Sequence, residues 1–217
     1  MESESSSLVI DVVSDVVCPW CYLGKRRLER AISLVPATDV LVRWHPFQLD
    51  PAIPPEGYDR ADYMRQKFGD LSRLEAVHDR LLTFGQEEGV DYHFDAIARS
   101  PNTLDAHRLV RWTPVGQQDG IVEALFKAYF TDGRDIGDHA VLADVASQFG
   151  FDREATLARL QTDEDRDIVR AEIAEAQRIG VTGVPCFIVG GRYAVMGAEQ
   201  PQVIAGAIEK AAQEAAA

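Results

Sequence analysis

Four residues, Cys18-Pro19-Trp20-Cys21, sit between an apolar β-branched run and a helical stripe, and no other feature of the 217-residue chain restricts its fold as tightly. Before them, Leu8-Val9-Ile10-Asp11-Val12-Val13 has the make-up of a buried strand. After them, Cys21, Leu28, Ile32 and Val35 recur at helical spacing. Pro19 suits the first turn of a helix, where its missing N–H costs nothing. Pro36 and Asp39 mark the end of that helix, and Val40-Leu41-Val42-Arg43-Trp44 reads as a second strand. Strand, helix and strand within about 40 residues make a βαβ unit, with both cysteines where the first strand feeds the helix.

That position gives the thiols their chemistry. Residues i and i+3 on a helix are neighbours, so Cys18 and Cys21 can close a small disulfide ring without bending the chain. The partial positive charge of the helix N-terminus favours a thiolate, and free N–H groups there are expected to point at Cys18. The thiolate is the nucleophile of disulfide exchange. Cys18 precedes the first turn and is expected to be exposed. Cys21 shares the buried stripe with Leu28 and Ile32 and is expected to be shielded and to act second. The plainer alternatives are a pair of core thiols or half a zinc site. Three cysteines in all are one short of a four-cysteine zinc site and too few for a disulfide scaffold.

Beyond Pro51 the pattern changes. A loop with Pro51, Pro54, Pro55 and Gly57 leads into helical stripes: Leu71, Leu74, Val77, Leu81 and Phe84, then Ile121, Ala124, Leu125 and Ala128, then Val141, Leu142, Val145 and Phe149. Gly85–Gly89 and Gly116–Gly120 look like breaks between helices. The last third returns to α/β. A helix over Asp163–Ile179 is followed by Gly180-Val181-Thr182-Gly183-Val184-Pro185 and a strand, Cys186-Phe187-Ile188-Val189. Gly190-Gly191 reads as a hairpin turn into Arg192–Val195, and Pro201 opens a final helix. Without the helical middle the order is βαβ–α–ββα, that of the thioredoxin fold. The expectation is an α/β thioredoxin-like domain over 8–55 and 160–217, an all-helical insertion over 56–159, and a disordered tail over 1–7.

Charge narrows the partners. Lys and Arg number 22 and Asp and Glu 35, a formal net charge of −13. Such a surface repels phosphate backbones and anionic lipid, so nucleic acid and membrane surfaces are not expected partners. The longest clean apolar stretch, Val16–Leu23, is far too short to span a bilayer. Met1-Glu2-Ser3-Glu4-Ser5-Ser6-Ser7 has acids and serines where a secretory signal needs basic and then apolar residues, so a cytoplasmic protein is expected.

Val184-Pro185 is the second candidate element. Its glycine-flanked loop suits a tight turn, and the fold order brings it beside the cysteines. From the residues alone, a trans proline starting a strand is the commoner case. Trp20, between the cysteines, is expected to be half exposed as a docking surface. Trp44 and Trp112 are assigned to packing.

Ser14-Asp15-Val16-Val17-Cys18-Pro19-Trp20-Cys21-Tyr22-Leu23-Gly24 resembles the active-site segment of DsbA-like thioredoxin-fold proteins, specifically the FrnE-type branch. Asn102-Thr103-Leu104-Asp105-Ala106-His107-Arg108-Leu109 and Gly180–Pro185 resemble two further family segments. The resemblance runs from about Leu8 to the last helix. It implies a cis Pro185 and dithiol–disulfide oxidoreductase or isomerase activity, with Cys18 attacking and Cys21 resolving. It further implies that the Val184 backbone is offered to an extended substrate peptide. Pro19, Trp20, Val184, Pro185, Asn102 and His107 would line the substrate cleft. No metal or cofactor is expected beyond the redox-active disulfide, which would exchange with glutathione or another thiol. Substrates would be protein or small-molecule thiols or disulfides.

Two departures stand out. Cys186 follows the proline where the family usually has an aromatic or aliphatic residue, and no extra cysteine pair follows it. Strand alternation turns Cys186 away from the redox pair if Pro185 faces it. Asn102 is equally well read as a helix cap, and His107 as a packing histidine. His45, His78, His93 and His139 show no ligand spacing. Two other functions share these features: a glutathione-dependent isomerase of the 2-hydroxychromene-2-carboxylate type, which normally has serine in place of the cysteine pair, and a chaperone-like module that holds peptides without turnover.

Overall fold

The computed structural model describes residues 7–69 and 71–215. The expected tail lies outside the described residues except for Ser7, whose hydroxyl donates a hydrogen bond to Asp39 Oδ2 at 2.5 Å. The side chain of Leu71, expected in the first insertion stripe, also lies outside them.

Four strands form the central sheet: β1 (Leu8–Ser14), β2 (Val40–Pro46), β5 (Cys186–Val189) and β6 (Tyr193–Met196), in the order β2-β1-β5-β6. β1 runs parallel to β2 from Leu8↔Val40 to Ser14↔Pro46. β5 is antiparallel to β1, pairing Val13 with Cys186 and Ile10 with Val189. The parallel pair needs a crossover, and α1 (Pro19–Leu34) supplies it. Alternation along β1 divides the core. Ile10 and Val12 join the large cluster that includes Leu28 and Ala31 of α1 and Ile204 and Ile208 of α9 (Pro201–Ala215). Val13 faces the other way, with Phe47, Val181, Cys186 and Ala176 of α8 (Arg166–Arg178).

Between β2 and α8 the chain is mostly helical. α2 (Arg60–Phe68), α3 (Leu71–Glu88), α4 (Leu104–Trp112), α5 (Val115–Phe130), α6 (His139–Ser147) and α7 (Arg153–Leu160) form this region. Two short strands, β3 (Tyr58–Asp59) and β4 (Arg99–Ser100), pair antiparallel within it, which the helical stripes did not foreshadow. Of the two expected breaks the first is present: α3 runs through Gly85 but ends at Glu88, with Gly89 next at a φ of 72°. The second is absent, since α5 contains both Gly116 and Gly120. At Gly85 a Cβ would lie 2.7 Å from the Val90 carbonyl oxygen, and at Gly120 one would lie 2.7 Å from Phe149 Cε1. Close approach, not a turn, explains these two glycines. The helix expected from Asp163 begins at Arg166, because Asp165 takes a left-handed φ of 62° and its carboxylate accepts the Trp112 indole N–H at 3.0 Å.

The insertion and the thioredoxin-like part share one core. Tyr22 of α1 stacks on Phe126 of α5 at 5.0 Å and meets Tyr92 edge-on at 5.9 Å. Beside them Lys25, with its side chain 2% exposed, is held by Glu29 of its own helix and by Asp119 and Glu123 of α5. A buried ammonium needs such partners, since leaving it uncompensated costs about 3–5 kcal/mol. Among the described residues no helix is long and apolar enough to cross a membrane.

Candidate active site

Cys18 is the N-cap of α1, with φ −89° and ψ 113°, and Pro19 takes the first helical position. The Cys18 N–H donates to the Asp15 carbonyl at 2.9 Å, and the Cys18 carbonyl accepts from Cys21 N–H at 3.0 Å. This turn puts the two thiols on one side of the first helical turn. All three cysteines are free thiols.

Cys18 departs from expectation. It is 4% exposed, against 1% for Cys21, so exposure does not distinguish the pair. Nor does its side chain cap the helix. Its Sγ donates instead to the Val184 carbonyl at 3.7 Å, a contact that spans 166 positions of sequence. Ionisation does set Cys21 apart. Burial pushes its thiol well above the ordinary 9.0, and the hydrogen bond and charge of the neighbouring Cys18 sulfur push it further. The Ser14 hydroxyl and the Asp15 backbone act in the opposite direction.

The Val184–Pro185 bond is cis. Pro185 is seated against α1 because residue 24 is glycine: a Cβ there would lie 2.7 Å from Pro185 Cγ and 3.2 Å from Phe187 Cζ. The Pro185 carbonyl accepts from Gly197 N–H at 2.7 Å, which fixes the far side of the loop. Cys186 turns to the opposite face and is 1% exposed among Val13, Phe47, Ala176 and Val181. Burial raises its thiol above 9.0 as well.

The insertion reaches this turn through Tyr92, a residue the sequence did not single out. Its buried hydroxyl donates to the Pro19 carbonyl at 2.6 Å. Trp20 is half-buried, as expected, with its ring 6.4 Å from Phe84 and the Arg80 guanidinium 5.9 Å from its face.

Asn102 and His107 are tied to protein groups. The Asn102 side chain accepts from Leu104 N–H at 2.9 Å and from Gln48 Nε2 at 3.1 Å, and donates to the Ile53 carbonyl at 2.5 Å. It therefore stands one residue before Thr103, the N-cap of α4, satisfies the first helical N–H and ties the helix start to the loop after β2. His107 is 5% exposed; its Nε2–H donates to the Phe47 carbonyl at 2.8 Å and lies 3.4 Å from Asp15 Oδ1. His107 also borders a cavity of about 180 Å³ whose lining includes Ser14, Trp44, Arg111 and Gln118. Asp15 is 1% exposed; its Oδ2 accepts from Leu49 N–H at 2.7 Å, while Oδ1 has no hydrogen-bond partner among the described residues. Ser14 and Asp15 lie in the motif segment, and the sequence alone assigns them no role. Alternation after Ile10 and Val12 was the signal that Ser14 would face α1.

Fold and site together define the class. The profile of the DSBA-like thioredoxin domain matches residues 9–209, and the chain belongs to that family. A similar protein, the uncharacterized YwbO of Bacillus subtilis (strain 168), is 29% identical over 185 residues, 83% of this chain and 86% of its own. A crystal structure of a probable DsbA oxidoreductase from Streptomyces coelicolor matches with a TM-score of 0.87 at 31% identity, over 95% of this chain and 91% of that one. A 2-hydroxychromene-2-carboxylate isomerase has the same fold at TM-score 0.72 and 18% identity, over 96% and 98% of the two chains. So does the cytosolic disulfide reductase DsbM of Pseudomonas aeruginosa, at 0.58 and 17%, over 96% and 97%. At those identities the last two speak for fold alone.

Proposed function

We propose that this protein is a thiol–disulfide oxidoreductase or isomerase in which Cys18 attacks and Cys21 resolves. The observation that carries the proposal is that Cys18, the N-cap of the helix that bears Cys21 in its first turn, meets with its sulfur the carbonyl that precedes Pro185. Cys18 opens the cycle by attacking a substrate disulfide, which leaves a mixed disulfide and expels one substrate thiolate. Cys21, held protonated by burial and by the Cys18 sulfur, follows. The Val184 backbone offers strand-like pairing to an extended substrate, and half-buried Trp20 and Pro19 flank the thiols. The substrates are protein or small-molecule thiols and disulfides, with glutathione or another thiol as exchange partner. Membership of the FrnE-type branch and a cytoplasmic setting, like that of the cytosolic reductase named above, belong to the same proposal.

The test is trapping. With Cys21→Ser, mixed disulfides to a peptide substrate should accumulate on Cys18, and Cys18→Ser should abolish turnover. A native protein with no turnover, and a Cys18→Ser protein that holds peptides as well as it does, would leave a peptide-holding chaperone as the function. Isomerisation of a hydroxychromene carboxylate by that variant, with no thiol–disulfide exchange by the native protein, would leave the isomerase.

A further inference from the structure

Resolution is the step this site makes hardest. On the dithiol exchange proposed above, Cys21 must give up its proton. Its sulfur electron pair then forms the bond to Cys18, the bond between Cys18 and the substrate sulfur breaks, and the departing thiolate takes up a proton. No oxidant or reductant enters this step. Yet Cys21 is 1% exposed, so water does not solvate the developing anion.

Two donors stand where water cannot. Ser14 ends β1, and alternation from Ile10 and Val12 turns its side chain toward the α1 face, where Cys21 lies. It is 4% exposed, and among the described residues its hydroxyl has no hydrogen-bond partner. An orphaned buried hydroxyl forfeits the free energy that a hydrogen bond would return. The Cys21 sulfur is within its influence, and the next main-chain N–H, that of Asp15, bears on the same sulfur; both favour the ionised form. Asp15 is held in place by the bonds from Cys18 N–H and Leu49 N–H to its two kinds of oxygen. We propose that the Ser14 hydroxyl and the Asp15 N–H form a cradle that receives the Cys21 thiolate during resolution. Among the described residues the hydroxyl has no other partner, because its partner is a transient one.

The experiment uses the reduced full-length protein and a bis-nitrothiobenzoate disulfide, whose released thiolate is coloured. The first release reports attack by Cys18 and depends on reagent concentration. The second reports closure by Cys21 and does not. Ser14→Ala should slow the second release about tenfold, the scale of one hydrogen bond to a charged group, and move its pH profile upward. The first release should be unchanged, and Ser14→Thr, which keeps the hydroxyl, should restore the second. A variant whose first release also changes is replaced by Ser14→Gly and held to the same result. An unaltered second release at every pH, or a Ser14→Thr protein as slow as Ser14→Ala, overturns the cradle and leaves the dithiol exchange standing. A native protein with no second release defeats the exchange itself.

Discussion

Cys21 and Cys186 lie near the same end of the sheet on opposite faces, and each is 1% exposed. Cys21 has a second sulfur, a free hydroxyl and a main-chain N–H around it. Cys186 has Val13, Phe47, Ala176 and Val181. Burial raises both thiols, but only Cys21 has groups that pull the other way. Depth alone therefore does not make a thiol inert; the neighbours decide whether its anion can exist at all.

The sharpest way to break this comparison is to remove each thiol in turn. Cys21→Ala should lower disulfide exchange by at least ~100-fold, the scale of losing one positioned catalytic group. Cys186→Ala should keep most of the activity and cost about 1 kcal/mol of stability from lost packing. A large activity loss in Cys186→Ala, or a Cys18–Cys186 bridge in the oxidised protein, would place Cys186 in the cycle.

Gly24→Ala tests whether the Cys21 face depends on the proline loop. The added methyl meets Pro185 Cγ at 2.7 Å. Overpacking of this kind costs roughly 1–3 kcal/mol, and exchange should slow as the loop moves off Cys18. Urea midpoints and single-turnover rates measure the two effects; an unchanged rate would detach the loop from the chemistry.

Alkaline pH separates the faces more gently. Cys186 has a folded pKa above its ordinary 9.0, so above that value the unfolded chain loses this proton first. The stability it contributes is fully present below 9.0 and is lost as pH rises through the folded value. Cys186→Ala should flatten part of that alkaline decline in urea midpoints, and an identical decline would refute the assignment.

The smallest effect is expected at Tyr92→Phe, which removes one hydrogen bond to the Pro19 carbonyl. A stability loss of about 1 kcal/mol should accompany a change in the Cys18 alkylation rate and none in that of Cys186.

The same contrast shows what the sequence could and could not reveal. β1, α1, β2 and the terminal ββα were legible because alternation and helical spacing are local, and the turn of Cys186 away from the redox pair followed from period two. The burial of Cys18 was not legible. It depends on Val184, 166 positions away, and the Pro19 carbonyl is met by Tyr92, 73 positions away. Pro185 was readable as a loop residue, but its seating on Gly24 was not, since only the packed structure shows which atom a missing Cβ makes room for. Gly120, inside α5, misled for the same reason. Asn102 was readable as a residue at a helix start, and its side chain does accept the first N–H of α4, one position before the N-cap Thr103.

The ring of Tyr22 stacks on Phe126, and the neighbouring Lys25 is clasped by Asp119 and Glu123. Tyr22 follows Cys21 directly, so the helix that bears the thiols is also the rootstock of the insertion. A surgeon of this chain could not excise residues between β2 and α8 and expect the stump to heal. The cut would strip the cover from an aromatic ring and an ammonium beside the redox pair. A transplant in the other direction, of this helical cap onto a plainer host, would have to carry a Tyr22 and a Lys25 into the recipient's own thiol-bearing helix.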